Sequence, residues 1–132
     1  KEEIWNLLET DSRARVIAIG RHTESLYLPC CVQTYEDVTG SQGNVMLVKT
    51  MDNFVEFLDY AKTDYIYIEA GYMAEGERTD TLTCDLVEYG ILTPVCYENG
   101  NVLARVDVHG EKTEGSEEKL VEFKQNRRLQ EP

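Results

Sequence analysis

The segment Arg15-Val16-Ile17-Ala18-Ile19-Gly20 constrains this chain more than any other. Four consecutive apolar residues leave no polar face for water, and a glycine closes the run. Such a stretch suits a strand buried on both faces, as in a parallel sheet covered by helices. The rest of the chain fits that frame. Glu2 to Leu8 reads as a short amphipathic helix with Ile4, Leu7 and Leu8 on one face and Trp5 beside it. Val45-Met46-Leu47-Val48 reads as a second strand. Asp52 is the expected N-cap of a helix whose stripe is Phe54, Val55, Phe57, Leu58 and Ala61, ending near Lys62-Thr63. Asp64-Tyr65-Ile66-Tyr67-Ile68-Glu69 alternates strong strand formers. Thr79 or Asp80 caps a further helix through Leu82, Leu86 and Val87, which Gly90 stops.

Pro94 bars more helix, and Asn99-Gly100 between Val95-Cys96-Tyr97 and Val102 to Val108 is the signal of a type I′ hairpin. In the last strand Val102, Ala104, Val106 and Val108 alternate with Leu103, Arg105 and Asp107. That alternation predicts a strand toward an edge, with one face wet. Strands alternating with helices predict an α/β fold. The expected architecture is a small three-layer, Rossmann-like domain over residues 1–110, with a mostly parallel sheet and a C-terminal antiparallel hairpin. Arg21 to Gly43 reads as irregular. Residues 111–132 form a polar tail in which Leu120, Val121 and Phe123 either seed a short helix capped by Ser116 or stay disordered.

The 132 residues carry a formal net charge of −12, which disfavours nucleic acid and anionic membrane surfaces as partners. No apolar run approaches the ~20 residues needed to span a bilayer. The start at Lys1, inside a helical pattern, reads as an excised piece of a longer protein. Four cysteines, Cys30, Cys31, Cys84 and Cys96, and two distant histidines, His22 and His109, are poor material for a zinc site. No metal site is expected. The cysteines read as buried thiols, although a Cys84–Cys96 pair stays open.

Ligands in open α/β sheets bind beyond the carboxyl ends of the strands. That position holds Gly20, Arg21 and His22 after one strand, and Glu69 and Tyr72 after another. These five are the candidate ligand residues, suited to a sugar or an anion; the bland alternative is ordinary loop polarity with Arg21 and Glu69 paired. Gly20-Arg21-His22-Thr23-Glu24 lacks the further glycines that bring a backbone against a pyrophosphate, so no nucleotide cofactor is expected. His22 has no positioned partner in sequence, and no Gly-x-Ser-x-Gly elbow exists, so no catalytic residue is assigned. Cys30-Cys31 reads as inert.

The order of segments carries a resemblance. A helix leads into RVIAIG, an irregular middle into VMLVKT, and DNFVEFLDYAKT runs into DYIYIEAGYM; the chain closes with EYGILTPVCYENGNVLARVDV. This resembles the soluble C-terminal domain of bacterial polytopic membrane proteins of the GT-C glycosyltransferase, protein-mannosyltransferase-like, type. There a strand begins with the equivalent of Thr63-Asp64-Tyr65, and a hairpin matches Leu92 to Val106. The resemblance spans roughly Glu2 to Val108. It implies a non-catalytic accessory domain on the extracytoplasmic face, supporting the membrane-embedded remainder of its own chain or recognising a sugar or lipid-linked sugar. The catalytic acids of that group lie in membrane-part loops, so none is carried over. The alternative is a stand-alone cytoplasmic α/β module that binds a small ligand; a small enzyme using His22 or a cysteine comes third.

Overall fold

The computed structural model describes residues 2–11, 13–19, 31–34, 50–69 and 78–126. Among the described residues four helices, α1 (Glu2–Thr10), α2 (Met51–Tyr60), α3 (Arg78–Glu88) and α4 (Ser116–Asn126), accompany five strands. The strands are β1 (Arg15–Ile19), β2 (Cys31–Thr34), β3 (Tyr65–Ile68), β4 (Leu92–Glu98) and β5 (Asn101–Val106). They form one sheet in the order β2-β1-β3-β5-β4. β1 runs parallel to both β2 and β3, whereas β3–β5 and β4–β5 are antiparallel. The fold is α/β as expected, but the sheet is mixed and not mostly parallel.

The reason lies in the hairpin. Val102, Leu103 and Ala104 are all fully buried, so β5 is apolar on both faces. Such a strand belongs inside a sheet, and β5 pairs with β3 instead of lying at an edge. The wet face predicted for it is limited to Arg105 and the residues after it. β4 takes the edge, with Pro94 and exposed Val95 at a register shift between Pro94 and Cys96. Proline and bulges are the usual devices that keep an edge from pairing further. Asn99 and Gly100 both have positive φ (53° and 85°), which fits the expected type I′ turn.

Helices cover both faces. Ile17, Ile19, Ile66, Ile68, Val102 and Ala104 meet Phe54 and Leu58 of α2, Leu82 and Leu86 of α3 and Phe123 of α4. On the other face Val16, Ala18, Tyr67 and Leu103 meet Ile4 and Leu8 of α1. Successive β1 side chains alternate between the two cores, which accounts for the unbroken apolar run. The buried stripe of α1 is the i, i+4 pair Ile4 and Leu8; Leu7 is turned out and 40% exposed, contrary to its expected place.

Several local expectations change. Thr50, not Asp52, caps α2: its hydroxyl accepts from the Asn53 N–H at 3.1 Å, and Asp52 lies in the first turn. α2 stops at Tyr60. Lys62 is left-handed (φ 54°), its N–H donating to Asp59 O at 3.1 Å and the Thr63 N–H to Leu58 O at 3.0 Å. Those two bonds make a Schellman ending, usually built on glycine. β2 replaces part of the stretch read as irregular, whereas the strand expected at Val45–Val48 lies outside the described residues. Residues 116–126 are helical, and the Ser116 hydroxyl accepts from the Thr113 N–H at 2.9 Å.

Candidate functional site

β1 steps to β2 on one side, and the chain then crosses back through α2 to β3 on the other. The carboxyl ends of β1 and β3 therefore flank the point where the strand order reverses, which is where open α/β sheets place their ligands. Ile19 pairs with Ile68 there, and the Glu69 N–H donates to Ile19 O at 2.9 Å. That bond fixes the first residue beyond β3 against the end of β1.

Glu69 is 9% exposed. Carboxylates seldom occupy so dry a place, because burying their charge is costly. Two residues earlier, on β3, Tyr67 is buried in the α1-side core. Its hydroxyl is pushed up to about 12, mainly by burial and then by the charge of Glu69. The phenol stays neutral at any ordinary pH and can donate a hydrogen bond but not act as a base.

Of the five candidate ligand residues, the structure describes Glu69 alone. Gly20, Arg21, His22 and Tyr72 lie outside the described residues. Cys30 lies outside them as well. Cys31 opens β2, beside Arg15 of β1.

Cys84 and Cys96 are buried on opposite faces of the sheet: Cys84 joins the α2–α4 core and Cys96 the α1 core. The sheet between them rules out the Cys84–Cys96 pair. Cys96 donates to Glu3 Oε2 at 3.4 Å. Burial, with that bond and the Glu3 charge, pushes its thiol up to about 11, so it is protonated and unreactive near neutrality. Among the described residues no three of His, Cys, Asp and Glu converge as a metal set.

At the opposite end of β3 stands Asp64, for which the sequence suggests no role beyond opening the run into the strand. Its Oδ2 accepts from the Arg15 N–H at 2.9 Å, its N–H donates to Arg15 O at 2.8 Å, and its carbonyl accepts from the Val106 N–H at 2.9 Å. One residue thus ties β1, β3 and β5 together. The only sequence signal was an Asp directly before a strand.

The sheet therefore has a stitched end at Asp64 and an end at Glu69 where the strands stop beside a buried carboxylate. No helix among the described residues is long and apolar enough to cross a membrane. Comparison with known protein families, with curated proteins and with solved structures returned no match.

Proposed function

We propose that this chain is a non-catalytic recognition domain whose ligand site lies beyond the carboxyl ends of β1 and β3. The observation that carries the reading is Glu69, a nearly buried carboxylate fixed to Ile19 where the strand order reverses. Carboxylate oxygens accept hydroxyl and ammonium hydrogen bonds, which suits a small polyhydroxy or amine-bearing ligand at this end of the sheet. Arg21, the second residue after β1 in the sequence, is the proposed partner for a ligand's anionic group.

The test is a thermal-shift panel of monosaccharides, sugar phosphates and amino sugars, followed by calorimetric titration of whichever compound shifts the melt. Stabilisation by a panel member that Glu69→Gln and Arg21→Ala both abolish is the expected result. A panel with no effect, or a shift untouched by Glu69→Gln, overturns the reading.

A second reading gives this domain its setting: an extracytoplasmic accessory part of a membrane protein of the GT-C glycosyltransferase type, assisting acceptor or donor recognition. What favours it is the order of segments. Thr63-Asp64-Tyr65 leads into β3 behind a helix, and Leu92 to Val106 is the β4–β5 hairpin, as the resemblance implies. The gene product carrying this sequence should fractionate with membranes, and protease added outside the sealed cell should remove this domain. A product found wholly in the cytoplasmic fraction leaves the stand-alone ligand-binding module in its place.

A further inference from the structure

Tyr60, at the last position of α2, is 86% exposed, more than any other large hydrophobic side chain among the described residues. It borders a groove of roughly 630 Å³ lined by Asn53, Glu56, Phe57, Asp59, Tyr60 and Lys62. Asn53, Glu56, Phe57 and Tyr60 follow the i, i+3, i+4, i+7 spacing, so they share one face of the helix. Phe57 is half-buried against the core, while Tyr60 lines the same groove almost fully exposed. The groove lies where β3 begins, at the end of the sheet away from Glu69.

The charge of this face is one-sided. α2 carries Asp52, Glu56 and Asp59 and no base. Asp59 sits in its last turn, where the helix dipole is already negative and a cation would be favoured. Lys62, beyond the helix, is the one cation lining the groove among the described residues. The chain as a whole has a net charge of −12. A second copy brings the same charge and is repelled, and a purely apolar partner would strip water from the acids without replacing it. A partner bearing Arg or Lys satisfies both features at once: the cation stacks on the exposed ring, and the carboxylates accept its hydrogen bonds.

We propose that the exposed face of α2 is a docking surface for a basic segment of a partner protein, with Tyr60 as its stacking anchor and Glu56 and Asp59 as its charge partners. Tyr60 makes so little contact with the body that its replacement should leave the fold intact, and the melting curve checks this.

The test uses the full 132-residue chain and a fluorescently labelled 12-residue peptide of alternating Arg and Leu, titrated at three salt concentrations. Tyr60→Ala should weaken binding by about two- to fivefold, the range expected for a cation on an exposed ring, and Tyr60→Phe should retain it. The double variant Glu56→Gln/Asp59→Asn should weaken binding and flatten its salt dependence. Glu117→Gln/Glu118→Gln, which neutralises two exposed acids on α4, should change nothing. Binding unaffected by Tyr60→Ala overturns the proposal, as does an equal loss from the α4 variant, because both indicate diffuse attraction to an acidic surface. A neutral oligosaccharide that perturbs the Tyr60 ring signals where the peptide does not overturns it in favour of a sugar site.

Discussion

Phe123 stands with Leu120 and Val121 in an apolar cluster of a tail that reads as largely polar. The structure separates them: Phe123 is fully buried, Leu120 half-buried and Val121 54% exposed. Phe123 packs into the core formed by α2, α3 and the sheet, so α4 is part of the folded body. A buried aromatic of this size removes about 150 Å² or more from water, worth ~4 kcal/mol at 25 cal/mol/Å². Phe→Ala changes in cores cost about 3–5 kcal/mol once the cavity is included. A domain of this length has only about 5–15 kcal/mol in all, so Phe123→Ala should remove a large share of it. With roughly 3–4 °C of melting temperature per kcal/mol at this size, the shift should be about 12 °C downward. Urea unfolding followed by circular dichroism measures the change directly. Val121→Ala is the control and should stay within about 0.5 kcal/mol, as exposed substitutions do. A cost below ~1 kcal/mol for Phe123→Ala, or a chain ending at residue 110 that melts with the full one, refutes the reasoning.

Three further outcomes follow from local geometry. Lys62→Gly should stabilise the fold by about 1 kcal/mol, because Lys62 holds a left-handed conformation that glycine adopts without strain; unchanged urea midpoints count against it. Gly110→Ala should destabilise strongly, since a Cβ there would sit 2.0 Å from the backbone oxygen of Gly90, with no flexible side chain to give way; a melt like that of the parent would contradict this. The folded state raises the Cys96 thiol from 9.0 to about 11, so its contribution is complete below pH 9 and is lost as pH rises toward 11. Stability should fall over that window, and Cys96→Ala should flatten the fall; equal slopes for the two proteins remove thiol ionisation as the cause.

The sequence was most legible where a residue's neighbours along the chain decide its state. β1 declared itself because its four apolar residues, Val16 to Ile19, face cores on both sides, and the hairpin did so because Asn99-Gly100 supplies two positive φ values in succession. It was least legible where the decision is made across the sheet. β2 is Cys-Val-Gln-Thr, four residues with no alternation to read, and only its register beside Arg15 to Ala18 makes it a strand. β5 looked like an edge because Arg105 and Asp107 follow Leu103 in alternation. Its first four residues are buried on both faces, and that outweighs the wet end. Lys62 was readable as a favourable charge at a helix end but not as a left-handed residue, since nothing in a lysine advertises that conformation. For the site, Glu69 could be found from its place after a strand, whereas its burial could not. Tyr60 fell outside the apolar stripe of α2, and only the packed structure shows how far it stands in water.

The two carboxylates that bracket β3 give a direct test of the proposed division between a structural end and a ligand-facing end of the sheet. Asp64 and Glu69 belong to one nearly continuous run, Asp64-Tyr65-Ile66-Tyr67-Ile68-Glu69. Asp64 is exposed, yet its side-chain and backbone atoms are occupied by Arg15 and Val106, so its bonding is committed to the sheet. Glu69 is nearly buried, and its backbone N–H anchors it to the last residue of β1. Removing the Asp64 carboxylate takes an acceptor from one backbone N–H that water can reach, so Asp64→Ala should cost about 1 kcal/mol. It should leave any ligand response intact, because the change lies at the stitched end. Glu69→Gln keeps the shape and withdraws the charge, so a ligand held by that charge should be lost. The pair of measurements, unfolding free energy and ligand-induced melting shift on both variants, divides the roles. If Asp64→Ala abolishes the ligand response while Glu69→Gln preserves it, recognition belongs to the other end of the sheet.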